Sequence, residues 1–363
     1  STMVYRAIGL MSGSSLDGLD IVFTELLEER GQWSFEILAA DCYPYSAEWK
    51  QKLEGAIHLP AFYYQLLHAE YGHYLGQQVN RFINEHNLHY KVGLIASHGH
   101  TTFHVPPQMT AQLGDGAAIA AETGLSVVSD LRALDVAFGG QGAPIVPIGE
   151  KLLLKDYALF LNLGGIANLS FNGDHYIAFD VCPANRVLNM LAANSGKDYD
   201  EGGAMAASGV VNEALLTRLN NLEYYNQQPP KSLANNFGTD VVYPLIQSFG
   251  LSNNDALRTY IEHIVTQLKK PISHYQLPTV NNQLLATGGG AFNTFLIDRL
   301  KEELQSLNME VVVPDEKLLQ YKEALIMALI GVLRWRQEYN VLSSVTGAQR
   351  NSIGGAVWIG QEA

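Results

Sequence analysis

The sequence predicts an α/β protein made of two related halves, on three observations. Apolar, β-forming segments alternate along the chain with segments of helical periodicity. Each half opens on the same pattern, three short strands in succession whose first turn is rich in glycine. Between the halves lies "FGGQGAPIVP" (138–147), three glycines followed by two prolines and the strongest candidate for a hinge or boundary.

Each element has its own reason. In the first half, "VYRAIG" and "LDIVFTEL" read as strands on either side of "GLMSGSSLDGLD" (9–20), and "FEILAADCY" as a third. Residues 60–86 read as a helix, with Leu67, Tyr71, Leu75 and Val79 at four-residue spacing. "VGLIASHG" is a buried strand ending in glycine, and "LSVVSDLR" another strand before a polar turn. The second half starts afresh with "YALFLNLGG", "IANLSF" and "HYIAFD", followed by a helix from about Asn185 to Asn194. The polar stretch 220–240 reads as a surface excursion. "SNND" then starts a helix with Leu257, Ile261, Ile264 and Leu268 on one face. "QLLATGGGAFN" is a strand whose Gly-rich turn opens a helix, "EVVVP" is a late strand, and 319–336 is a long helix.

Composition narrows the function. The 363 residues are 47% hydrophobic and 16% charged, which fits an ordinary globular chain long enough for two domains. A net charge of −13 argues against nucleic acid or anionic membrane as a partner. A small anion stays compatible, because backbone amides bind phosphate without lysines. No apolar run approaches the roughly 18 residues of a membrane helix. The N-terminal segment lacks the features of a signal peptide. Cys42 and Cys182 lie far apart, which fits a reducing compartment rather than a zinc site or disulfide framework. A cytoplasmic location is the expectation.

Three Gly-rich turns fall at strand ends, at 13–18, 164–165 and 288–290. In open α/β sheets ligands bind there, where small residues let a phosphate reach the main chain. No Gly-x-x-x-x-Gly-Lys-Ser/Thr is present, and "GGGAFN" does not complete the dinucleotide fingerprint. Asp180 ends an apolar strand just before a helix, so it is either that helix's N-terminal cap or a general base. His98 and His100 share a strand face, but no nearby acid or cysteine completes a metal set, and a polar pocket wall is the better reading. Arg132 either clasps a carboxylate or phosphate, or bridges to Asp130 or Asp135. Glu323 is either a first-turn helix charge or a carboxylate aimed into a cleft.

Taken together, these segments resemble the 1,6-anhydro-N-acetylmuramic acid kinases, of the sugar kinase, actin and heat-shock chaperone ATPase superfamily. "GLMSGSSLDGLD", "SHGHTTFHVP", "QLGDGAAIAAETGLSVVSDLRALDVAFGGQGAPIVP", "LNLGGIANLS", "ATGGGAFN", "KEALIMALIG" and "SVTGAQRNSIGG" carry the resemblance, in order, over nearly the whole chain. It implies two related actin-like, ribonuclease H-like domains with mixed sheets flanking a nucleotide cleft. The expected division is 1–133 plus 345–363, with 134–344 as the second domain. It implies ATP and Mg²⁺ as cofactors, and a reaction that hydrolyses the 1,6-anhydro bridge and phosphorylates the freed O6. By the same resemblance Asp180 is the catalytic base and Glu323 contacts the bridged sugar. Gly13, Ser14, Ser15, Leu16, Asp17, Gly18, Leu19 and Asp20 form the phosphate loop, with Asp17 the acid nearest Mg²⁺. Gly164 and Gly165 line the phosphates, and Gly288, Gly289 and Gly290 the adenosine. His98, Arg132 and Asp135 shape the sugar side, domain closure excludes water, and a homodimer is expected.

The chain departs from the family beside the base. Family members usually read Asp-Thr-Gly-Pro-Gly-Asn, where this chain has Asp180-Val-Cys-Pro-Ala-Asn185. Cys182 and Ala184 thus add a Cβ at two glycine positions, where φ can be positive or a ligand close. Asn189 replaces an aspartate, and His100 the glutamine of His-Gly-Gln-Thr. Lys231-Ser-Leu-Ala-Asn-Asn236 lacks the family's arginine–glutamate pair. These changes keep two other readings open, a kinase for a different anhydrosugar and a catalytically weakened nucleotide- or sugar-binding relative.

Overall fold

A computed structural model describes residues 1–13, 16–173, 176–229, 231–234, 236–275 and 282–360. A nearly continuous apolar run, buried at consecutive positions from Ala7 to Leu10, builds β1 (Thr2–Ser12), which pairs antiparallel with β2 (Gly18–Glu29), and β2 with β3 (Gln32–Pro44). The helix Ala61–Glu85 then crosses back, and β4 (Leu94–Ser97) lies parallel to β1. A hairpin of β5 (His100–Val105) and β6 (Met109–Leu113) forms a separate small sheet, and β7 (Val127–Ser129) adds parallel to β4.

The pattern then repeats. An antiparallel meander runs through β8 (Leu159–Leu163), β9 (Ile166–Phe171) and β10 (Ile177–Pro183). After the helices Asn185–Ala193 and Asn253–His274, β11 (Gln283–Thr287) pairs parallel with β8. The helix Thr294–Gln305 leads to β12 (Glu310–Val312), parallel to β11. Both sheets therefore share one order, β3-β2-β1-β4-β7 and β10-β9-β8-β11-β12, as two related halves require. The helix Glu316–Trp335 follows, and β13 (Ala356–Trp358) closes the first sheet, antiparallel to β7.

The chain divides into two compact units, Ser1–Leu154 with Tyr321–Ala363, and Lys155–Gln320. The division falls later than the expected 133/134, and earlier than the expected 344/345. The reason is that 138–147 is tied into the first unit. Gln141 N–H donates to the Thr346 carbonyl at 2.8 Å, Gly142 N–H donates to Asp135 at 2.8 Å, and Ile145 packs among Ile326 to Leu333. The stretch 220–240 also differs from a surface excursion. Tyr224 and Tyr225 are buried in the core of the second unit and anchor it there.

The first unit carries an apolar layer on each face of its large sheet. Ile8, Ile95 and Val127 face the helix Ala61–Glu85, while their neighbours Ala7, Leu94 and Val128 face the helix Glu316–Trp335. That second contact is unusually close. A Cβ at Gly9 would overlap the Ala324 carbonyl, so the helix lies directly on the backbone of β1. Gly9→Ala should lower stability by about 2–3 kcal/mol, since helix or strand must retreat. Gly55→Ala, at a position with open space and ordinary φ, should stay within about 0.5 kcal/mol of wild type. Urea unfolding measures both, and equal midpoints for the two variants would remove the close-contact argument.

Candidate active site

The first Gly-rich turn is anchored at its root. Ser12, the last residue of β1, sits 3.0 Å from His100 Nδ1 and accepts from the Tyr45 hydroxyl at 2.7 Å. Tyr45 in turn meets the fully buried Tyr71 hydroxyl at 2.5 Å. Beyond Ser12, Leu16 N–H donates to the Gly13 carbonyl at 3.2 Å, and Leu16 takes a left-handed φ of 56°. Ser14 and Ser15 lie outside the described residues. Gly18 is a packing glycine, because a Cβ there would crowd Cys42 Sγ and the Tyr43 carbonyl. Leu19 is fully buried in the core.

Asp17 is exposed at the end of this turn, and Asp20 is half-buried opposite Cys42 in the β2–β3 register. Burial pushes the Asp20 carboxyl up to about 6, a hydrogen bond from Cys42 opposes this, and Glu323 and Asp17 push it further up. Burial first, then Asp20, pushes the Cys42 thiol up to about 12, so it stays a neutral donor. Glu323 is brought to this corner by the contact at Gly9, since Ala324 is the next residue. Its side chain is exposed. Desolvation by surrounding protein raises its carboxyl above the usual range, Lys322 and Arg132 oppose, and Glu150 adds.

His98, Arg132 and Asp135 form one connected network. Arg132 Nε donates to His98 Nε2 at 2.9 Å, and Nη1 donates to the Gly142 carbonyl at 2.6 Å. Asp135, with no exposed surface, accepts from Gly142 N–H at 2.8 Å and from the Thr346 hydroxyl at 2.7 Å. His98 Nδ1 lies 2.8 Å from the Gly99 carbonyl. Burial, reinforced by Arg132, drops its pKa to about 3, so it is neutral, with Nδ1 carrying the proton. Both of its nitrogens are engaged and His100 turns to Ser12, so the two histidines do not form a metal pair. Burial lowers the Arg132 pKa to about 10, with Glu323 and Asp135 opposing, and it stays charged.

In the second unit, Asp180 lies on β10, where the pairing with β9 shifts register between Asp180 and Cys182. It is not a helix cap. The helix begins at Asn185, its N-cap is Ala184, and no side chain caps it. Instead Asp180 Oδ2 accepts from Leu233 N–H at 2.9 Å, and its carbonyl accepts from the Tyr224 hydroxyl at 2.7 Å. Burial raises the Asp180 carboxyl above its usual range, and the Leu233 amide partly offsets this. The helix's first amides are satisfied by the neighbouring turn. Ala184 and Arg186 N–H donate to the Gly165 carbonyl and Asn185 N–H to the Gly164 carbonyl, at 2.8, 3.3 and 3.1 Å.

The glycines of the two turns divide by what a side chain would meet. Gly288 has φ +87° and a Cβ there would meet Asn162 and the Leu163 carbonyl, while one at Gly290 would meet Leu163. These two are demanded by packing. At Gly164, Gly165 and Gly289 the nearest atoms lie at 3.6, 3.9 and 3.8 Å, and φ is ordinary. Among the described residues nothing requires glycine there, so what their lack of a side chain preserves is open backbone.

The departures beside Asp180 turn inward. Cys182 and Ala184 have no exposed surface, belong to the core cluster of the second unit and have no left-handed φ. Three partners were not legible beforehand. The Leu233 amide has no side-chain signature, Tyr224 sat in a stretch read as surface, and Cys42 is matched to Asp20 only by register.

A family model described as anhydro-N-acetylmuramic acid kinase matches residues 5–360. The anhydro-N-acetylmuramic acid kinase of Synechococcus elongatus is 32% identical over 97% of this chain and 99% of its own length. That of Gloeobacter violaceus is 34% identical, covering 95% of this chain and 96% of its own. The Francisella tularensis subsp. novicida enzyme is 31% identical, over 96% and 97%.

The acidic corner makes stability depend on pH. Below about pH 4 Asp20 is protonated whether folded or not. From there to about 6 only the folded state keeps the proton, so stability falls as pH rises through that window. The loss by pH 7 is about 3 kcal/mol at most. Asp20→Asn should flatten this slope and be the more stable protein at pH 7. Urea unfolding across pH 4–8, without nucleotide, tests it, and parallel slopes for the two proteins would contradict it.

Proposed function

The chain belongs to the anhydro-N-acetylmuramic acid kinase family, and from that premise we propose how its own residues perform the reaction. The protein is an ATP-dependent kinase that opens the 1,6-anhydro bridge of anhydro-N-acetylmuramic acid and phosphorylates O6, giving N-acetylmuramic acid 6-phosphate. The observation that carries the residue assignment is the state of Asp180. Its carboxylate is free of capping duty, aimed by one backbone amide and made more basic by burial.

Asp180 takes the proton of the water that attacks the anomeric carbon. The C1–O6 bond breaks, and the electron pair stays on O6, which attacks the γ-phosphorus as ADP leaves. Glu323 meets the bridged sugar. Arg132, fixed in direction by neutral His98 and the Gly142 carbonyl, offers its remaining N–H groups to the sugar side. Asp135 acts through position, since it is fully buried and pins Gly142 and Thr346.

The residues fit a nucleotide and a divalent cation. Asp17 and Asp20, with Glu323 near, make a corner whose mutual repulsion a hard cation relieves, and carboxylate oxygens are the donors Mg²⁺ takes. When bound, Mg²⁺ neutralises charge on the phosphates during transfer. The 13–18 turn and Gly164–Gly165 would hold the phosphates, and the 288–290 turn the adenosine. The open backbone at Gly164, Gly165 and Gly289 supports this.

Two experiments test the reading. With labelled ATP and ¹⁸O-water, wild type should yield the 6-phosphate with the label at the anomeric carbon. Asp180→Asn should lose about 10²–10⁴-fold in kcat. ATP binding without transfer to this sugar would refute the assignment. Gly165→Ala and Gly289→Ala should keep stability within about 0.5 kcal/mol while weakening nucleotide binding. Gly288→Ala should instead cost about 2 kcal/mol of stability or more. Nucleotide affinities that stay at the wild-type value in the first two variants would remove those glycines from the site.

A further inference from the structure

A separate pocket of about 240 Å³ lies within the second unit, lined by Phe179, Tyr225, Lys231, Lys270, His274 and Tyr275 among others. It is smaller than the 300–1,000 Å³ typical of drug-sized ligands, and so suits a compact molecule. Its walls combine aromatic faces with basic groups. Phe179, Tyr225 and Tyr275 supply the aromatic faces, and the Lys231 ammonium stands 5.9 Å from the Phe179 ring. Among the described residues no aspartate or glutamate lines it. The two lysines instead donate to backbone carbonyls, Lys231 to Tyr224 at 3.4 Å and Lys270 to Tyr225 at 3.2 Å. Burial lowers the Lys231 pKa, and the positive charge of Lys270 lowers it further.

Two lysines lining one aromatic-walled cavity supply the groups that an anion with a flat body would meet. We propose that this pocket binds a small organic anion, a phosphate or carboxylate carried on a compact aromatic or otherwise flat group, and that its occupancy tunes Asp180. The connection is short. Phe179 and Val181, on either side of Asp180 in the chain, both line the pocket. The Lys231 carbonyl accepts from Asp180 N–H at 3.3 Å, and Leu233, two residues on, supplies the amide that holds the Asp180 carboxylate. An anion that draws Lys231 towards Lys270 pulls on the segment that aims the base. Only this tuning rests on the kinase reading.

Phenyl phosphate is the probe, titrated calorimetrically into the full chain, with and without saturating non-hydrolysable ATP analogue. Saturable binding is expected in both conditions, with at least tenfold loss in Lys270→Gln. Benzoate, a carboxylate on the same flat ring, should also bind saturably, whereas inorganic phosphate should bind more weakly, since it carries the charge without the flat body. Equal binding of inorganic phosphate would overturn the aromatic part. No saturable heat up to about 10 mM, unchanged affinity in Lys270→Gln, or full displacement by the ATP analogue would overturn the site. These measurements need no turnover, so they remain decisive if the kinase reading fails. In the kinase assay, saturating phenyl phosphate should change kcat at least twofold in wild type and leave Lys270→Gln unchanged. Binding with no change in wild-type kcat would overturn the tuning.

Discussion

The absence of a side chain at Gly9 is the constraint on which the first unit depends. It lets the helix Glu316–Trp335 rest its backbone on β1, which no strand residue with a Cβ would allow. The helix returns from the end of the chain to cover one face of a sheet begun at the start. Gly331 repeats the device one strand over, where a Cβ would press on Ala96 of β4. Packing this close fixes the helix along its axis, and Glu323 inherits that position beside Asp20. The acidic corner is therefore a product of core packing. Its electrostatic cost is borne by a contact made of glycine and alanine.

In the second unit the equivalent order is imposed by polar contacts. Asp180 is gripped on three sides, by Leu233 N–H, the Lys231 carbonyl and the Tyr224 hydroxyl. Tyr224 is itself wedged between Tyr225 and Phe237. The grip keeps the Asp180 carboxylate aimed although the 180–185 turn is altered. The side chains of Cys182 and Ala184 enter the core, where a small thiol and a methyl add apolar contact, while the carboxylate is aimed from a different segment. A loss of glycine beside Asp180 matters only where the Cβ would face a ligand or strain the backbone.

Much of this was legible in the residues. The two meanders, the Ser252-capped helix with Leu257, Ile261, Ile264 and Leu268 buried, and the three Gly-rich turns all follow from local chemistry. What stayed hidden was long-range. "FGGQGAPIVP" has the composition of a hinge, yet its amides reach Thr346 and Asp135, more than 200 residues apart in the chain. Tyr224 and Tyr225 look exposed in a run of Asn, Gln and Pro, and only the folded chain shows Tyr225 packed on His263 and Tyr224 set between Tyr225 and Phe237. Asp180 invited a capping role because a helix follows closely, but the Gly164 and Gly165 carbonyls had already claimed the amides it would have capped.

That last arrangement has an electrical meaning. A helix start ordinarily presents bare N–H groups and a partial positive charge to whatever lies before it. At Asn185 that charge is absorbed by two carbonyl oxygens. A trans peptide group is planar, with its C=O and N–H pointing in opposite directions. Turning the Gly164 carbonyl towards the helix therefore turns the Gly165 N–H away from it. The helix does not offer its own polarity outward, but hands it through an intervening peptide plane, with the amide end emerging on the far side. The turn behaves as a relay, so reversing that one plane would exchange an anion-attracting surface for an anion-repelling one without changing a residue.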